Sequence, residues 1–117
     1  MSTIKVNNLQ TTGGADLYTA RAWITYNGTT NFINGSGNVS SLTDVDVGKH
    51  TPNFSNAFSS AHYAAGCSCQ QPEYSTTNVS IGKNVDIAVT TTAYPLFVQN
   101  GSGGNLDRQH STGIFLE

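Results

Sequence analysis

Residues 20–63 read ARAWITYNGTTNFINGSGNVSSLTDVDVGKHTPNFSNAFSSAHY, and this stretch decides the fold. Short apolar runs in it are interrupted again and again by residues that turn the chain. Asn27-Gly28 and Asn34-Gly35 are dipeptides that tolerate left-handed backbone angles, and each is flanked by strand-forming residues, so both are expected to be tight hairpin turns. Arg21 to Tyr26 (RAWITY) concentrates the aromatic and β-branched types that fill a pleated, half-buried surface. It is expected to be the central strand. Asn38 to Thr43 and Gly48 to Asn53 are expected to pair antiparallel through Asp44 to Val47, with Pro52 marking a sheet edge.

Outward from this stretch the same grammar continues. Ile4 and Val6 alternate with polar neighbours, and Gly13-Gly14 then releases the chain, so residues 1–14 are an N-terminal strand or arm and 15–117 a single β domain. Ala61 to Cys69 is small and apolar. Asn78 to Ile81 and Val85 to Thr92 are expected to form a hairpin around Gly82-Lys83-Asn84, because Val85, Ile87 and Val89 share one face in the cleanest alternation of the chain. Asn100 to Asn105 (NGSGGN) is a loose loop and Gly113 to Leu116 (GIFL) a closing strand. Seven or eight short strands predict an all-β chain, an antiparallel β-sandwich or jelly-roll-like domain.

Composition agrees. Ser, Thr, Asn and Gly contribute 12, 15, 12 and 12 of the 117 residues, against five basic and seven acidic side chains. Asn, Gly and Thr disfavour helix interiors, and no long segment offers helix formers at a 3.6-residue period. A net charge of −2, with Lys5, Arg21, Lys49, Lys83 and Arg108 scattered, provides no field for a phosphate backbone and argues against nucleic acid as a partner. No apolar run approaches the roughly 20 residues that span a bilayer, so membrane insertion is not expected. The N-terminus carries neither the basic region nor the apolar core of a secretion signal, so the product is expected to be soluble where it is made. Six Asn-x-Ser/Thr triplets, at Asn27, Asn34, Asn38, Asn53, Asn78 and Asn100, follow from this composition and read as turns. Short polar side chains keep a surface little changed across ionic conditions, as suits a protein working outside a cell.

The spaced elements Ala22-Trp23, Asn27-Gly28, Gly37 to Ser41, Asn53-Phe54 and His62-Tyr63 resemble a module recurrent in bacteriophage virion proteins, especially tail-fibre-like ones. The opening MSTIKVNNLQTTGG is similar to the start of many fibre-type proteins of marine phages. The resemblance implies a virion-surface protein, on the tail or capsid exterior, made in the host cytoplasm. It also implies association with itself as a homotrimer and with other virion proteins.

Reactive chemistry finds little support in the residues. Cys67 and Cys69 lie one residue apart, at about 7 Å on an extended strand, which is awkward for a mutual disulfide. With His62 they leave a zinc shell one ligand short. His50, His62 and His110 are far apart, with no nucleophile elbow to serve. Asp44 and Asp46 read as a solvated turn rather than a calcium loop. The carboxylates Asp16, Asp44, Asp46, Glu73, Asp86, Asp107 and Glu117 single out no glycosidase pair. The chain is therefore expected to be no enzyme and to need no cofactor and no metal.

Recognition is the alternative. Trp23 and Tyr26 are expected in the core, whereas Tyr74 and Tyr94, beside Pro72 and Pro95, are expected at the surface as stacking platforms for sugar rings. With Asn100, Asn105 and Arg108 they are the candidate contact residues, on loops 70–77 and 94–108 that a rigid sheet would present. Three functions fit: a small tail fibre or attachment protein meeting a host-surface glycan or protein, a capsid decoration (knob or head-fibre) protein, or a freestanding carbohydrate-binding module.

Overall fold

The computed structural model describes residues 3, 10–15, 20–69, 79–100, 104, 105, 107 and 110–117. It is a β-sandwich with no helix among the described residues. Eight strands form two antiparallel four-stranded sheets: β1 (Ala20–Asn27), β2 (Phe32–Gly37), β3 (Val39–Asp46), β4 (Lys49–Phe54), β5 (Ala64–Cys69), β6 (Val79–Lys83), β7 (Leu96–Asn100) and β8 (Ser111–Leu116). The first sheet runs β2-β1-β8-β5 and the second β3-β4-β7-β6. Three hairpins (β1–β2, β3–β4, β6–β7) stay within a sheet, and the chain crosses between sheets elsewhere.

The core forms because alternate residues of each strand face the other sheet. Ala22, Ile24 and Tyr26 of β1, Phe115 of β8, Phe54 of β4 and Leu96 of β7 are all buried, joined by Phe58 from the β4–β5 connection. Phe115 holds the sheets together through rings: its centroid lies 5.2 Å from that of Phe54 and 5.1 Å from that of Tyr94. Such pairs add about 0.5–1.5 kcal/mol each beyond the area they bury. Tyr63 completes the cluster, 4.3 Å from Phe58, and its hydroxyl donates to the carbonyls of Thr90 and Ala93. That tie anchors the long segment between β6 and β7 to the core.

β1 is an interior strand, paired on both sides, as expected for RAWITY. β3 and β4 form the expected hairpin, and Gly48 takes the left-handed angle its turn requires, with φ of 72°. The C-terminal strand is more than a closing one, since β8 lies between β1 and β5 and pairs with both.

Several expectations are corrected. Asn34-Gly35 is not a hairpin turn. Thr25 pairs with Gly35 and Tyr26 with Ile33, so Asn34 is the extra residue of a bulge inside β2. The β1–β2 turn spans 28–31: the Asn27 side chain accepts the amides of Thr29 and Thr30, and the left-handed residue is Asn31, with φ of 60°. Asn38, also left-handed, is the corner where the chain leaves the first sheet for the second, its amide held by the backbone of Arg21 and Asn56.

The alternating run 85–92 is not a strand. Asn84 Oδ1 accepts the Asp86 amide, and Lys83 Nζ donates to the carbonyls of Asn84 and Ile87, so side-chain bonds offer this backbone a local alternative to a ladder. β6 pairs instead with β7, and Val85 is left 83% exposed. β7 itself occupies residues expected to be loop.

Pro52 does not lie on an edge strand. β4 pairs with β7 at Lys49–Phe97 and His50–Leu96, and the same register resumes at Asn53–Ala93. In between, the Tyr94 amide donates to the Pro52 carbonyl, which a proline cannot reciprocate. Asn53, read as a turn, is a strand residue whose amide donates across to the Ser41 and Thr43 hydroxyls.

Trp23 is not in the core. It is 41% exposed on the outer face of the first sheet.

Candidate functional site

Both outer faces of the sandwich carry features worth a ligand or a partner, and they are built differently. On the first sheet, register aligns two rows across the strands: Gly37, Trp23, Ile114 and Gly66, and beside it Gly35, Thr25, Thr112 and Ser68. All eight are uncharged. The indole of Trp23 lies over β2, because the two glycines leave it room. A Cβ at Gly37 would lie 2.4 Å from Trp23 Nε1, and one at Gly35 would lie 3.3 Å from Cη2. An aromatic ring over a strand glycine covers backbone that would otherwise meet water. The result is a flat face with a tryptophan set into it.

The second sheet presents a concavity. His50, Leu96 and Val98 point inward, so Lys49, Phe97 and Gln99 point out. Two connections rise around them: the turn after β6 brings Asn84, Val85 and Asp86, and the chain after β7 folds back so that Asn105 bridges to Gln99. These seven residues line a cleft of about 220 Å³. Phe97 is its apolar floor, its ring 3.5 Å from where a Cβ of the opposing Gly82 would stand. Lys49 Nζ and Asp86 Oδ2 pair at 3.3 Å, and Gln99 Nε2 lies 3.4 Å from Asn105 Oδ1. The cleft offers a ring face, a carboxylate, an ammonium and several amides within one small space.

The sequence-level candidates divide accordingly. Asn105 lines the cleft, whereas Asn100 is not among its lining residues and bonds to Gly104, its backbone N–H donating to the Gly104 carbonyl and its Oδ1 accepting the Gly104 amide. Tyr94 packs half-buried against Phe115 and Tyr63 rather than standing open, and burial raises its hydroxyl pKa. Tyr74 and Arg108 lie outside the described residues, as does the loop 70–77. Sequence reading missed Trp23, Phe97, Lys49 and Asp86. For Trp23 the available signal was the Gly-x-Gly at 35–37, and for Phe97 the alternation of Leu96 and Val98 with Phe97 and Gln99.

Elsewhere the ionisable groups do structural work. His50 is 1% exposed, with Nε2 at 2.8 Å from Asn31 Oδ1, while Asn31 Nδ2 donates to Asp44 Oδ2, so the three fix the β1–β2 turn to β3. Asp107 Oδ1 accepts the Gly48 amide, and Asp46 Oδ1 that of Val47. Arg21 pairs with Glu117, which also accepts the Ser59 amide. Cys67 and Cys69 lie on β5 and share no disulfide, and burial raises the Cys67 pKa, which favours the less reactive thiol. Among the described residues, no three His, Cys, Asp or Glu side chains gather to hold a metal ion, and no helix is long and apolar enough to cross a membrane.

No family model, curated protein or solved structure matches the chain.

Proposed function

We propose that this chain is a bacteriophage virion-surface protein, a small tail fibre or attachment protein displayed in several copies for recognition of the host surface. It acts by contact and not by turnover of a substrate. The observation that carries this reading is the cleft on the second sheet, where an aromatic floor and convergent polar side chains meet on the outside of a rigid sandwich. A shallow site of this kind binds weakly alone, and display in several copies raises its effective strength through local concentration. The flat, uncharged rows around Trp23 support contact with further copies or with other virion proteins, and the resemblance to fibre modules favours a trimer.

Adsorption tests the reading. Purified protein in excess is expected to bind host cells and block infection by the particles that carry it, and antibody against it is expected to label intact particles. Particles without the protein, or adsorption indifferent to it, defeat the proposal. The same flat face favours a second reading as a capsid decoration protein, which predicts binding to assembled capsids and none to cells.

A further inference from the structure

We infer that the cleft formed by Lys49, Asp86, Phe97, Gln99 and Asn105 binds one ring of a neutral pyranose sugar. The inference rests on the host-recognition reading above and names its ligand. Size is the first argument. At about 220 Å³ the cleft lies below the roughly 300–1,000 Å³ of sites for drug-sized molecules, so it suits a single ring at the end of, or within, a chain.

Chemistry is the second. The C–H face of a pyranose is apolar and packs on an aromatic side chain, and Phe97 supplies that surface between Lys49 on β4 and Gly82 on β6. A sugar's hydroxyls both donate and accept. Here Asp86 accepts, Lys49 donates, and the amides of Gln99 and Asn105 do both, so a sugar's hydroxyls meet donors and acceptors together.

Charge is the third argument, and it selects among sugars. The Lys49–Asp86 pair cancels locally, with the Asp86 side chain 70% exposed at the mouth against 24% for Lys49. A uronate or sulfated ring entering there meets the carboxylate, whereas a neutral ring replaces water on both partners without breaking the pair.

The test is titration of the full chain, labelled with nitrogen-15, with methyl glycosides of neutral hexoses and, in parallel, with glucuronate. Expected are saturable shifts of Phe97, Gln99 and Asn105 with neutral sugars at millimolar concentration, a range set by the small contact surface. Phe97→Ala is expected to weaken binding about tenfold, and Asp86→Asn, which keeps the shape, to weaken neutral sugars while improving glucuronate. Ser55→Ala, just past the end of β4 and outside the cleft lining, leaves binding unchanged. A dispersed spectrum of each variant shows that it is folded. No saturable shift with any neutral hexose, preference of the wild-type chain for glucuronate, or binding indifferent to Phe97→Ala overturns the inference. If the protein still blocks adsorption while neutral sugars leave the cleft untouched, the sugar assignment alone has failed. Failure of both the adsorption and the sugar test removes the host-recognition reading as well.

Discussion

The two outer faces of this sandwich share one core, yet one is flat and the other hollow. On the first sheet β1, β8 and β5 are paired without interruption over the rows that carry Trp23 and Thr25, and glycines on β2 let the indole lie down. On the second, the β4–β7 ladder thins at Pro52 and Pro95 to a single bond from the Tyr94 amide to the Pro52 carbonyl, and Asn84 to Asp86 after β6, with Asn105 after β7, stand around the exposed side of Lys49 and Phe97. A continuous ladder makes a plane. Loops held against a sheet by their own side chains make a container, and here Asn84, Lys83 and Asn100 do the holding.

The largest test concerns what the faces have in common. Phe115→Ala removes a fully buried ring that touches Phe54 and Tyr94, and is expected to cost about 3–5 kcal/mol in denaturant unfolding, loosening both sheets at once. A loss confined to one sheet by hydrogen exchange contradicts a common core.

Next comes the flat face itself. Gly37→Ala is expected to destabilise by about 1–3 kcal/mol, because its Cβ would overlap the Trp23 indole, and most of that cost disappears in a Trp23→Ala background. Additive effects in the double-mutant cycle mean that the ring does not lie where it is placed here.

Alkaline pH probes the tie that holds the segment between β6 and β7 to the core. Burial, with the neighbouring Tyr94 adding to it, pushes Tyr63 up from 10 to about 12. Its folded-state pKa exceeds the unfolded value, so its contribution is complete below pH 10 and is lost as pH rises toward 12. A phenolate cannot donate to the Thr90 and Ala93 carbonyls. The melting temperature is expected to fall across that window, and the fall to shrink in Tyr63→Phe. A flat profile from pH 9 to 12 counts against the tie.

The smallest stability effect belongs to the cleft. Phe97→Ala removes a half-buried side chain from an open face and is expected to cost about 1 kcal/mol or less, while weakening sugar binding about tenfold. If it costs as much as Phe115→Ala, Phe97 is a core residue and the cleft is an accident of packing.

Much of the fold was legible in local residues. RAWITY reads as a central strand because its inward positions are apolar and its types are β-forming, and the β3–β4 hairpin reads from Gly48. Some of the motif positions that carry the resemblance to phage modules are packing positions: Ala22 and Phe54 lie in the core, Tyr63 packs against it, and Asn53 clamps β3 to β4. The failures are equally local. The alternation in 85–92 satisfies strand periodicity, but the bonds of Asn84 and Lys83 close a turn there, and the edge of β6 was taken by β7. Asn34-Gly35 has turn chemistry, and only the pairing of β2 on β1 makes it a bulge. Of the candidate contacts, Asn105 reached the cleft because it follows a strand, whereas Tyr94 was drawn inward by Phe115.

By itself, then, the amino-acid order determined an all-β chain, its strongest strands and its poverty in charge, since propensity, alternation and turn chemistry act over a few residues. Which strands meet across the sheets, that Trp23 faces out, and that Lys49, Asp86, Phe97 and Asn105 share a cleft were decided only by tertiary structure. Those neighbours lie up to dozens of residues apart, and nothing short of closing the core fixes the register that brings them together.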